Sequence, residues 1–215
     1  MNRIAIPLLT LVIALGLAAA AGAEVPGAAT PSPRRWHVGL QTVGSWQSRF
    51  DVFDRDDLPP APIAAHGRGG GFLVGRRFGD RVLAQLQLVF AEHDLADADT
   101  TYGDVAVLAT GTVLFRTGRT LQPFLRGGIG GGGQTCQLPD DGGSVIAFGP
   151  AAVAGGGAHI VLGGRVSLEF EAVATFTDFL QVDDQTEGGL WGGDSWQVRT
   201  SNWGWRTGMG LVFWF

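Results

Sequence analysis

The chain has 215 residues, 35 of them glycine, a formal net charge of −5, no lysine and a single cysteine. Such a chain offers neither the basic surface that nucleic acid needs nor a cationic membrane-surface helix. Cys136 alone makes no internal disulfide, so the fold cannot depend on the staples of small secreted domains.

In chain order, the first element is a targeting segment. Arg3 precedes the apolar run from Ile4 to Ala21, and Ala21-Gly22-Ala23 supplies the small-x-small pattern of a cleavage site. Residues 1–23 therefore read as a signal peptide, with the mature chain starting at Glu24. Residues 24–34 carry three prolines among small residues and read as a linker, a short periplasmic lead-in. No later segment is apolar for the roughly 18 residues that a membrane helix requires. If residues 35–215 span a membrane, they do so with strands, as one domain without internal repeats.

Alternation and turn chemistry predict strands at 35–46, 68–78, 81–92, 104–117, 120–133, 146–162, 165–178 and 203–215. The connections strictly alternate between long and two-residue ones. The short ones are Gly79-Asp80, Gly118-Arg119 and Gly163-Gly164, where a leading glycine can supply the positive φ of a tight hairpin. An even strand number puts both ends of the domain on the short-turn side.

Each strand separates two faces. In 81–92, Val82, Ala84, Leu86, Leu88 and Phe90 oppose Arg81, Gln85 and Gln87. In 104–117, Val105, Val107, Ala109, Val113 and Phe115 oppose Thr110, Thr112 and Arg116, and in 165–178 Leu168, Phe170, Ala172 and Phe176 oppose Ser167, Glu169, Glu171 and Thr175. The last strand sets Trp203, Trp205, Met209, Leu211, Phe213 and Phe215 against Gly204, Arg206, Gly208 and Gly210. Arg76 alone falls on a greasy face, with Phe72 and Val74, and fits only at an interface. Aromatics collect at both strand ends: Trp36, Phe78, Phe115 and Phe215 beside the short turns, and Trp46, Phe90, Phe148, Phe176 and Trp203 beside the long loops. Two such belts are what two membrane interfaces demand, with lipid outside and a crowded polar interior.

On these residues the chain resembles the small eight-stranded outer-membrane β-barrels, the OmpA-like and OmpX-like family, over residues 35–215. The carriers are the turn-and-loop alternation, the aromatic end, and segments such as Leu121-Gln122-Pro123-Phe124-Leu125-Arg126 and Arg165-Val166-Ser167-Leu168-Glu169-Phe170. The resemblance implies an all-β, antiparallel transmembrane barrel in the bacterial outer membrane. It also implies short periplasmic turns, four long extracellular loops, contact with outer-membrane lipid and lipopolysaccharide, and a terminal Phe215 that the barrel-assembly machinery reads.

An eight-stranded barrel is just wide enough for its own side chains to fill. The inward faces supply His37, Gln41, Gln85, Gln87, Arg126, His159, Glu169, Glu171 and Arg206. Arg126 and Arg206 are expected to neutralise Glu169 and Glu171 in a structural network that plugs the lumen, with Arg206 as the nearest partner of Glu171. A narrow channel for small solutes is the competing use of the same residues. Glu169 and Glu171 share a face at a spacing glycosidases also use, but a filled barrel admits no sugar.

Other chemistry is weakly signalled. A lipid A-modifying barrel enzyme would need a histidine with a serine near the outer leaflet; His66, His93, Ser45, Ser48 and Ser195 are the candidates, and none forms that family's motif. Gly127 to Gly133 lacks the Lys-Ser or Lys-Thr of a phosphate loop and is expected to make room for arginines and aromatics from opposite strands. The acids Asp51, Asp54, Asp56 and Asp57, and Asp178, Asp183, Asp184 and Glu187, lack EF-hand spacing. Gly44-Ser45-Trp46 matches a lipocalin element but closes its strand rather than opening it. The expectation is a monomer without cofactor, metal or nucleic acid, not an enzyme, whose role is structural or surface-interacting and carried by its loops.

Overall fold

The computed structural model describes residues 35–48, 65–94, 101–137, 143–184 and 195–215. The signal peptide and lead-in expected at 1–34, the acids Asp51 to Asp57 and Glu187, and the central parts of the long loops lie outside the described residues.

Eight strands follow one another: β1 (Trp36–Gln47), β2 (Ala65–Phe78), β3 (Val82–Asp94), β4 (Thr101–Leu114), β5 (Leu121–Gln137), β6 (Ser144–Val161), β7 (Val166–Asp184) and β8 (Ser195–Trp214). Each pairs antiparallel with the next, and β8 returns to β1, so the sheet closes into a barrel with no free edge. The seam is tied at its end by Trp36 N–H to the Phe215 carbonyl, 3.0 Å, and Phe215 N–H to the Trp36 carbonyl, 2.9 Å. Closure pairs backbone groups that lipid could not satisfy.

Strand number and order match the alternation of the sequence, and the differences lie at the strand ends. β7 and β8 run on to pair Phe179 with Thr200, Gln181 with Gln197 and Asp183 with Ser195, residues that read as loop. The ladder bonds backbone to backbone, so it continues where both faces meet water and the apolar alternation that signals a strand has stopped. At about 3.3 Å per residue the longer hairpins outreach a hydrocarbon layer of roughly 25 Å. At the other end, β4 stops at Leu114, and Arg116 adopts φ 53° in a turn wider than two residues. Gly79 and Gly118 use positive φ, at 62° and 81°. The third turn does not use Gly163 that way; the Leu162 and Gly163 N–H groups both donate to the Val166 carbonyl, at 3.0 and 3.3 Å.

The exterior is apolar. Leu86, Leu125, Ile129, Phe170, Trp205 and Met209 are exposed on it, with Trp36, Phe78, Phe115 and Phe215 at the short-turn end and Phe90, Phe148, Phe176 and Trp203 toward the loops. Water would penalise so continuous a band, whereas lipid accommodates it. Arg76 sits at the interface as its face required, its guanidinium carbon 5.5 Å from the Trp36 ring and 5.4 Å from that of Phe78. Leu211 is covered although it points outward, flanked in register by Leu40 and Leu168.

Candidate functional site

The lumen is stacked in layers from the short-turn end upward. The first is aromatic. Trp214 alternates inward, opposite in sense to Phe213 and Phe215, and its indole N–H donates to Ser167 Oγ at 2.9 Å. Its ring lies 4.7 Å from that of His37 and 6.0 Å from that of His159, which in turn lies 5.2 Å from Phe124. Leu83, Leu114 and Phe124 pack together against Trp214. Gly75 leaves room for this layer, because a Cβ there would sit 2.6 Å from His37 Nε2 and from the Ala84 carbonyl.

Charge fills the second layer. Arg126, on β5, forks onto Glu169 of β7, with Nη1 to Oε1 at 2.8 Å and Nη2 to Oε2 at 3.0 Å, and the same Nη1 also binds Glu171 Oε2. Its Nε–H donates to Thr112 Oγ1 at 3.0 Å, and Phe124 lies under the guanidinium at 4.8 Å. Arg206 of β8 reaches diagonally to Glu171 Oε1, 3.1 Å, and donates to Gln87 Oε1, 3.2 Å. His159 Nε2 lies 3.2 Å from Glu169. Gln85 accepts from Thr112 and contacts His37, at 2.9 and 3.1 Å. All four charged side chains are buried. The hub is Arg126, which binds both carboxylates, while Arg206 serves Glu171 alone. Arg206 is therefore not the nearest partner of Glu171, because the long Arg126 side chain reaches from β5, two strands away, to both carboxylates of β7.

A third, apolar layer of Leu108, Ala151, Val153 and Val173 separates this cluster from the mouth at the long-loop end. At the mouth, Asp104 accepts from Ser45 Oγ at 3.2 Å and Gln47 Nε2 at 2.9 Å, and lies 3.0 Å from His93 Nε2. Ser48 Oγ donates to Asn202 Oδ1 at 2.7 Å, and Asn202 donates to Gln47 Oε1 at 3.0 Å. Between mouth and charge layer is a cavity of about 40 Å³ whose walls include Ser45, Asp104, Leu108, Ala151 and Arg206.

The serine and histidine candidates Ser45 and His93 do meet, but around Asp104, whose carboxylate stands between hydroxyl and imidazole. Nucleophilic activation needs the imidazole on the hydroxyl. His66 and Ser195 are exposed at strand starts. Among the described residues no three His, Cys, Asp or Glu side chains converge as metal ligands. Gly127 to Gly133 lies mid-strand in β5, and only alternate glycines face inward. Its space goes to neighbouring small groups rather than to arginines or aromatics: a Cβ on Gly132 would meet Thr177 Oγ1 at 3.0 Å and Ala151 Cβ at 3.2 Å. Cys136 is buried and hydrogen-bonded to its cross-strand neighbour Tyr102.

Two parts of this interior escaped the sequence. Trp214 reads as one more aromatic of a greasy end, although strict alternation places it with Gly210 and Arg206. Asp104 reads as a strand's first residue, and only closure brings it to Ser45 and Gln47.

No family model and no curated protein sequence matches the chain. Solved structures do. Neisserial surface protein A superposes with a TM-score of 0.61 at 13% identity, over 84% of this chain and 97% of that one. A major outer membrane protein of Thermus thermophilus does so with a TM-score of 0.52 at 12% identity, over 82% of this chain and 99% of that one. This is the fold of the small outer-membrane β-barrels. A barrel of this fold and apolar exterior belongs in the bacterial outer membrane, its short turns toward the periplasm and its long loops outside.

Proposed function

We propose that this outer-membrane barrel is a closed, non-catalytic scaffold that serves the cell surface through its long extracellular loops, in a structural or surface-interaction role. The observation that carries this reading is the lumen: the Arg126–Glu169–Glu171–Arg206 cluster crosses it with all four side chains buried, above a packed layer of Trp214, His37, His159 and Phe124. A path for solute would have to break the ion pairs and displace Trp214. Breaking a buried pair exposes each charge to a low-dielectric wall, so the closed state is favoured.

The proposal includes a monomer, surrounded by lipid and lipopolysaccharide and needing no cofactor. Its Phe215, exposed to lipid and bonded to Trp36 at the seam, is the end that the assembly machinery engages. Deleting Phe215 should leave export intact and reduce assembled barrel in the outer membrane; undiminished yield removes that role.

Planar-bilayer recording of the purified mature protein tests closure. No steady current is expected at voltages the bilayer withstands. Steady conductance from protein that also shows the heat-dependent gel mobility of a folded barrel replaces this reading with that of a narrow channel for small solutes.

A further inference from the structure

The net charge of −5 conceals a sided distribution. Among the described residues, the periplasmic end carries seven arginines, Arg35, Arg76, Arg77, Arg81, Arg116, Arg119 and Arg165, against one carboxylate side chain, Asp80. Three of the seven converge. Arg35, Arg76 and Arg77, with Phe78, Gly79 and Asp80, line a cleft of about 240 Å³ where β1 and β2 end. The strands are locked there, since Arg77 N–H donates to the Arg35 carbonyl at 2.6 Å and the Arg77 guanidinium bonds the Asp80 carbonyl across the turn.

Arg76 opens outward, toward lipid, between the exposed rings of Trp36 and Phe78. Those rings belong to the belt that marks the boundary between acyl chains and headgroups. The Nε–H groups of Arg76 and Arg77 are shielded from solvent with no protein acceptor. One guanidinium flanked by aromatics at the headgroup level, with two more arginines lining the same cleft against the single carboxylate of Asp80, makes a receptor for a phosphate oxyanion, which Arg binds through its planar fork.

We infer that this cleft binds the phosphodiester headgroup of an anionic phospholipid, of the phosphatidylglycerol or cardiolipin class, in the periplasmic leaflet. The acyl chains lie along Trp36 and Phe78, and the phosphate lies between Arg35, Arg76 and Arg77. The three cleft arginines, set against Asp80 alone, select net negative lipid over zwitterionic lipid carrying the same phosphate. The site rests on the barrel spanning a membrane and is independent of whether the lumen conducts.

Native mass spectrometry of the folded, detergent-purified mature protein tests it, with folding checked separately by heat-dependent mobility. Phosphatidylglycerol should be retained at about thirtyfold lower concentration than phosphatidylcholine, a preference expected from two arginines at a headgroup. Arg76→Gln with Arg77→Gln should abolish the preference. Arg116→Gln with Arg119→Gln removes the same charge from the rim away from the cleft and should keep most of it. Equal retention of the two lipids by wild type, or equal loss in both double variants, overturns the cleft as the site. Displacement of phosphatidylglycerol by millimolar inorganic phosphate makes it a free-phosphate site instead and overturns the lipid assignment.

Discussion

The two ends of this barrel are made by the same eight strands and closed by opposite chemistry. At the periplasmic end, large rings interlock: Trp214, His37, His159 and Phe124 fill the bore with Leu83 and Leu114, and arginines ring the rim. At the extracellular end, Ser45, Gln47, Ser48, His93 and Asn202 join around Asp104 by hydrogen bonds, beneath strands that continue into water. A packed aromatic layer tolerates little change of shape, whereas the mouth's polar side chains, buried themselves, gather round the part-exposed Asp104, where water can replace a lost partner. Between them lies the charge layer, the point at which the two halves of the wall are tied across the lumen. Stability is therefore concentrated low and in the middle, and the mouth is free to vary with the loops.

The largest effect should come from the middle. Arg126→Leu leaves Glu169 without its guanidinium and Glu171 with one of two, so folding stability measured by urea unfolding in lipid vesicles should fall by about 3–5 kcal/mol. Arg206→Leu strips Glu171 of its second partner only, and should lose less, about 2 kcal/mol, with part recovered when Glu171→Leu is added. Equal losses for the two arginines contradict the assignment of Arg126 as hub.

Next comes packing at the two ends. Gly75→Ala drives a methyl into the His37 ring and the Ala84 carbonyl, so a loss of about 1–3 kcal/mol is expected. Gly103→Ala, near the mouth, meets the hydroxyl tip of Thr135 at 2.7 Å, which can rotate away, and should stay within about 0.5 kcal/mol. The same unfolding experiment compares them, and a mouth variant as damaging as the seal variant removes the distinction. Asp104→Asn tests the mouth's hydrogen bonds and is expected to cost no more than about 1 kcal/mol, because Asp104 is itself part-exposed and asparagine keeps one acceptor oxygen for the buried Ser45 and Gln47. A larger loss would show that the mouth is as structural as the seal.

Much of this is written in the alternation. Inward Arg126, Glu169, Glu171 and Arg206, outward Phe90, Leu125 and Trp205, and the glycine turns at 79 and 118 follow from a period of two and from the steric demands of positive φ. The strand ends beyond the membrane do not, because backbone pairing in water needs no apolar face.

Alternation assigns a side chain to the lumen without assigning its neighbour, since a residue's partners across a closed barrel depend on strand tilt and stagger. The sequence alone therefore determined eight strands, their two faces, the aromatic belts and the inward Arg126, Glu169, Glu171 and Arg206. Only closure decided that Arg126 rather than Arg206 joins both glutamates, that Trp214 caps the charge layer, that Asp104 separates Ser45 from His93, and that Arg35, Arg76 and Arg77 gather in one cleft. Residues far apart in the chain met there because the wall curved back on itself.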